Sequence, residues 1–227
     1  MRMRWMVLGF ALLATSVGAQ SYPPPYPRQN ATKLLETSQF IVWRMVWPKG
    51  QPTALHRHVH DQDGTYYESG GRRITSLEGE ARETTTPVGN LSTTKRGTTH
   101  IEEGTTDPPL RAVFIELLHD GPSGPPVASS ATAPLFPREG AKQTFDDERV
   151  TVWDYTWPAG ADSGPIRYPR NTVIVWLGSG TLKSTAATGE VSNLTVKSGD
   201  TRYVEAGKAE RIAVVSGSPR AMAFEFK

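Results

Sequence analysis

All five histidines of the chain fall in its first half, three of them at alternate positions as His56, His58 and His60. In an extended strand, side chains two residues apart leave the same face, so these three imidazoles would point one way and two of them could share a metal ion. Beyond them, Gly97-Thr-Thr-His100 supplies a further ring just after a glycine, where a neighbouring strand can return to the same place. A transition metal takes several neutral nitrogens with or without one carboxylate, and Asp63 is the acid at hand. His60 is read equally as a ligand, a support to the ligands or a surface group, and His119 is expected to be solvated. No residue beyond these stands out as an acid or base, so no catalytic residue is assigned.

The elements that must carry these rings occur twice. Without a gap, Phe40-Ile-Val-Trp43-Arg-Met-Val-Trp47-Pro48-Lys-Gly50 aligns with Val150-Thr-Val-Trp153-Asp-Tyr-Thr-Trp157-Pro158-Ala-Gly160, a shift of 110. The same register pairs Ser69-Gly70 with Ser179-Gly180, Gly89 with Gly199 and Gly97 with Gly207, and after one deletion Arg111-Ala112 meets Arg220-Ala221 and Glu116 meets Glu225. Such self-similarity marks a duplicated module. Short β runs separated by glycine and proline fill both copies, and no segment keeps a 3.6-residue apolar period long enough for a substantial helix, so the fold class is all-β. The tryptophans recur with or without the histidines and are expected to pack at a barrel seam or between the copies.

The second copy is an internal control. At the shift of 110, His56 becomes Ile166, His58 becomes Tyr168, Asp63 becomes Val173 and His100 becomes Glu210, so no metal is expected there. A scaffold that persists while these positions change together argues against a structural role for the histidines.

The flanking segments bound the rest. Met1-Arg-Met-Arg4, an apolar run from Trp5 to Ala14 and Val17-Gly-Ala19 read as an export signal over residues 1–19, which implies a periplasmic or extracellular protein with no stable membrane anchor. Loss of Arg2 and Arg4 with the leader takes two of the 25 basic residues and leaves them equal to the 23 acidic ones, so the formal charge of +2 falls to zero and argues against a nucleic-acid partner. Residues 20–32 are a proline-rich arm, linker or strap, and residues 120–140 a Gly-, Pro- and Ala-rich connector. With no cysteine, an exported chain has neither disulfides nor thiolate chemistry and must be stable through packing.

The spacing Gly50, His56, His58, Asp63, Gly70 resembles the first cupin motif, in which the acid is usually glutamate. Gly89, Lys95, Gly97, His100 and Gly104 resemble the second, with its proline and asparagine missing. The resemblance covers residues 33–119 and, as a degenerate copy, 141–227. It implies two tandem cupin-type jelly-roll barrels and a metal held in the first barrel only by His56, His58, Asp63 and His100, or by three histidines with open positions. It further implies one divalent transition metal, iron, manganese, nickel, copper or zinc, and a small-molecule ligand. Association into a homodimer through barrel edges is a further expectation. The functional expectation is an exported bicupin with a dioxygenase-like activity on a small organic molecule. The alternatives are a non-catalytic cupin that binds a metal or small ligand, and a purely structural duplicated barrel.

Overall fold

A computed structural model describes residues 21–128 and 132–227; the expected leader and residues 129–131 of the connector lie outside the described residues. The first half folds into β1 (Ala31–Glu36), β2 (Phe40–Trp47), β3 (His56–Arg57), β4 (Asp61–Glu68), β5 (Gly70–Ser76), β6 (Ala81–Thr86), β7 (Leu91–Thr94), β8 (Thr99–Gly104) and β9 (Leu110–Leu117). After the short β10 (Ala133–Pro134), the second half repeats the series as β11 (Lys142–Asp146), β12 (Val150–Thr156), β13 (Asp162–Arg167), β14 (Thr172–Trp176), β15 (Gly180–Ala186), β16 (Val191–Val196), β17 (Thr201–Val204), β18 (Ala209–Gly217) and β19 (Arg220–Phe226). Among the described residues there is no helix.

The duplication read from the sequence is repeated in the sheet topology. Strand order β1-β2-β9-β4-β7 in the first half matches β11-β12-β19-β14-β17 in the second, and β3-β8-β5-β6 matches β13-β18-β15-β16, to which β10 adds an edge. Each half is therefore an antiparallel jelly roll of two facing sheets around a lumen.

The β1-β2-β9-β4-β7 and β11-β12-β19-β14-β17 sheets also pack against each other, so both of their faces are buried. Along β2, Trp43, Met45 and Trp47 enter the core of their own barrel with Tyr66, Leu110, Ala112 and Phe114. Phe40 and Val42 point the other way and join Val113 and Ile115 in one core with Val150, Val152, Val173, Met222, Phe224 and Phe226 of the second barrel. Phe40 stacks on Phe226 with ring centroids 4.1 Å apart. Each fully buried Val, Phe or Met in such a core stabilises the fold by roughly 1.5–3 kcal/mol, which is the source of stability open to a chain without disulfides. The four paired tryptophans are packing residues that face the two lumens, Trp43 and Trp47 in one and Trp153 and Trp157 in the other, and they do not lie at the seam. Strand alternation sends them inward because their odd-numbered register is opposite to that of Phe40 and Val42.

The proline-rich segment is docked against the first barrel. Tyr26 is buried and stacks on Trp43 at 4.6 Å, and the backbone of Pro23 accepts a hydrogen bond from Arg57. The connector does the same for the second barrel, where Phe136 stacks on Trp153 at 5.3 Å. Tyr26-Pro27-Arg28 and Phe136-Pro137-Arg138 stand at the same shift of 110, so each barrel is closed by an equivalent plug.

Because the seam is one core built from both halves, Phe224→Ala, which removes a side chain with no exposure, is expected to cost about 3–5 kcal/mol and to lower a single unfolding transition for the whole molecule. Separate unfolding of the second barrel in denaturant, followed by intrinsic fluorescence and circular dichroism, would show that the seam does not couple the halves.

Candidate metal centre

His56 and His100 are brought together by the backbone. β3 and β8 are antiparallel, with His56 opposite His100 and Arg57 opposite Thr99. Gly97, with φ of 88°, makes the turn that launches β8, a conformation that L-residues with a Cβ rarely adopt. Just past β3, the amide of His58 donates to the carbonyl of Thr98 and its own carbonyl accepts from Gly97. These bonds fix the third ring beside the other two. One ring nitrogen from each of His56, His58 and His100 lies within 4.8 Å of the others, and Nε2 of His58 is 3.3 Å from Nε2 of His100.

The donor set fits a metal. The three residues are only 3%, 4% and 8% exposed. Nδ1 of His56 lies 2.9 Å from the carbonyl oxygen of Ala54, which accepts a hydrogen bond from that nitrogen and so leaves Nε2 with its lone pair free; Nε2 is buried without a partner, as is Nδ1 of His58. Burial pushes His58 down to about 3, helped by the neighbouring His100, and pushes His100 down to about 4 against the pull of Glu102; it lowers His56 as well. All three are therefore neutral at neutral pH, the form that ligates. Metal–nitrogen bonds of about 2.0–2.1 Å bring such nitrogens to roughly 3–3.5 Å of one another, within reach of small side-chain rotations.

Asp63 lies outside this group. In the ladder of β4 and β9, Asp63 stands opposite Ile115, a seam residue, whereas Gln62 and Gly64 stand opposite Glu116 and Phe114 on the lumenal side. Counting along the motif reaches the right strand, but a displacement of one residue exchanges the faces. Asp63 is instead buried at the seam, where desolvation and the nearby Asp147 raise it to about 7 despite Arg149 and Lys95. His60 also lies outside the group, because β3 stops at Arg57 and the chain bends at Val59 and His60. His119 is exposed and bonds the carbonyl of Ser38 at 2.6 Å.

A buried ion-pair network that the histidine motif does not reveal adjoins the rings. Glu102 follows His100 by two residues on β8 and thus shares its face, with Oε1 3.9 Å from Nε2 of His100. Arg28 donates to Glu102 at 2.8 Å, Arg72 donates to its other oxygen, and Trp47 Nε1 donates at 3.2 Å. Burial alone would raise Glu102, but Arg72 and Arg28 outweigh it and hold the carboxyl well below the ordinary range. At the corresponding positions the second barrel has Leu182 for Arg72 and Ile212 for Glu102, and the indole nitrogen of Trp157 is buried with no partner. The network is lost together with the three imidazoles. In their place Glu210 accepts from Tyr168 at 2.6 Å, from Arg202 at 2.8 Å and from Ser184.

No protein-family model matches the chain, and no curated protein sequence is similar to it. Among solved structures it is similar to the cupin 2 conserved barrel domain protein from Leptotrichia buccalis, with a TM-score of 0.58 and 12% identity over 87% of this chain and 88% of that one. It is also similar to AerE from Microcystis aeruginosa, with a TM-score of 0.60 and 11% identity over 91% and 98% of the two chains. Oxalate decarboxylase from Bacillus subtilis, a protein with Mn(II) centres, matches with a TM-score of 0.54 and 12% identity over 87% and 75%. At such identities the likeness is one of fold: the protein is an all-β chain of two tandem cupin-type jelly-roll barrels. The first of them carries a three-histidine group of the kind that holds a divalent metal.

Asp63 supplies a test of the corrected face. Its pKa is raised from 3.8 to about 7 in the folded state, so the native protein holds a proton there that the unfolded chain releases above pH 4. Stability should fall, by at most about 1.4 kcal/mol per pH unit, between pH 4 and 7 and then level off. Asp63→Asn should remove this slope in urea denaturation, gaining stability over the wild type at pH 8 relative to pH 5, and should leave bound metal unchanged. Loss of metal in that variant would return Asp63 to the ligand set.

Proposed function

We propose that the protein is an exported cupin whose first barrel holds one divalent transition metal through His56, His58 and His100 and uses it on a small organic molecule. The observation that carries this is the convergence of three neutral, buried imidazoles, two with an unpartnered nitrogen, in the barrel whose twin has Ile166, Tyr168 and Glu210 instead. Iron, manganese, nickel, copper and zinc all accept such ligands. When bound, the metal supplies a Lewis-acidic centre with positions left for a ligand.

The chain's own residues set the conditions. Ala54 fixes the tautomer of His56 through its carbonyl, the β3–β8 ladder fixes the distance between rings, and Tyr26 and Trp43 cover the adjoining lumen. Glu102, bonded to two guanidiniums and an indole, keeps Arg28 and Arg72 in place beside the imidazoles. A single metallated barrel favours a dioxygenase-like oxidation over an oxalate-degrading one. A second reading, binding without turnover, is favoured by the same network: both oxygens of Glu102, the carboxylate 3.9 Å from His100, are engaged by arginine, which leaves that group no free oxygen to move a proton.

Elemental analysis of the purified protein should find close to one transition-metal ion per chain. His58→Ala and His100→Ala should lose it, whereas Tyr168→Phe and Glu210→Gln should keep it. Equal loss in both pairs would overturn the assignment. Oxygen uptake with catechols, flavonols and small organic acids, compared between wild type and His58→Ala, separates the enzyme from the binding protein.

A further inference from the structure

Away from the histidines, a crevice of about 490 Å³ opens at the seam between the barrels, lined by Arg44, Arg111, Lys197, Tyr67, Glu68 and Asp200 among others. Three cations face two carboxylates, and the carboxylates are partly committed. Asp200 accepts from the backbone amide of Lys197 at 3.0 Å, which closes a turn. Glu68 lies 2.9 Å from Nε of Arg111, yet that nitrogen has no hydrogen bond of good geometry; the contact is a charge pair set off the donor axis. Among the described residues Arg44 reaches no carboxylate, and it donates to the carbonyl of Gly199 at 3.2 Å.

The duplication shows what this arrangement replaces. On β2 and β9, Val46 stands opposite Arg111, which puts Arg44 and Arg111 diagonally adjacent on one face. The same diagonal in the second barrel joins Asp154 and Arg220, since Thr156 stands opposite Arg220. There the pair is closed by two bonds of 2.9 and 2.8 Å, and Arg220 packs against Gly89, where an added Cβ would lie 2.6 Å from its Nη2. One half therefore fills its side of the seam with a neutral Asp–Arg pair. The other half substitutes a second guanidinium for the aspartate and leaves an open space beside it. Arg111 keeps Glu68 as its charge partner, whereas Arg44 has only the Gly199 carbonyl, so the pair of guanidiniums carries a positive charge that an anion between them would balance.

We propose that this crevice binds a compact oxyanion of charge two or more, a phosphate or dicarboxylate group, with Arg44 and Arg111 as its forked donors and Lys197 at its rim. The site is independent of the metal centre, because Arg44 and Arg111 project to the seam and the imidazoles to the lumen.

Titration calorimetry at constant ionic strength, with orthophosphate, malonate and chloride as probes, tests it. Phosphate or malonate should bind at one site per chain and raise the melting temperature, and chloride should do neither. Arg44→Asp rebuilds the closed pair of the other half, so it should fold and lose at least tenfold in affinity; Arg44→Gln, which adds no charge, should lose affinity as well. His58→Ala should bind the probes as the wild type does. Absence of saturable binding, or undiminished binding in both Arg44 variants, overturns the proposal. Loss in His58→Ala with Arg44→Asp unaffected would move the anion to the lumen and overturn it equally.

Discussion

Two backbone pairs, His56 against His100 and Arg57 against Thr99, set the geometry on which the site depends. So short a ladder has little strength of its own. It is extended by the bonds that His58 makes to Thr98 and Gly97, and it is held from behind by β5, which pairs with the other edge of β8. Three rings are thereby held close and almost wholly buried, and burial keeps them uncharged. A group of neutral imidazoles with unpartnered nitrogens is an unfavourable thing to bury unless something binds it, and the cluster is best understood with an ion between its members.

The second barrel shows how the same place is filled by other side chains. It has the same ladder, with Ile166 opposite Glu210, and Glu210 is satisfied internally by Tyr168, Ser184 and Arg202. Where Glu102 has become Ile212, the neighbouring Trp157 retains an indole N–H that nothing accepts. The fold thus tolerates either a network that is complete in itself or a set of donors open to a ligand, on the same strands.

Much of this was legible before the structure. The repeated Trp-Pro-x-Gly segments fixed the duplication because turns and lumenal aromatics are hard to change without losing the barrel, and the rings of His56, His58 and His100 were found by type and spacing. Asp63 was misplaced because both faces of its strand are buried: the usual polar-out, apolar-in alternation is absent from β4, so parity could not be read. Arg72 was hidden for a different reason: its neighbour Arg73 is of the same type, and on β5 one is buried and the other exposed, which charge alone does not tell. Glu102 was within reach, since two residues separate it from His100, and so was Arg28, because Tyr26-Pro-Arg28 and Phe136-Pro-Arg138 stand in the repeat register.

Those two tripeptides have a consequence for the order of assembly. Each stopper precedes its vessel in the chain: Tyr26 rests on Trp43, whose indole donates to Glu116 on β9, and Phe136 rests on Trp153, whose indole donates to Glu225 on β19. During synthesis the first stopper therefore waits uncovered until nearly the whole of its jelly roll has emerged. The second lies between the two halves, and the acceptor that holds its tryptophan, Glu225, arrives only with the last strand of the protein.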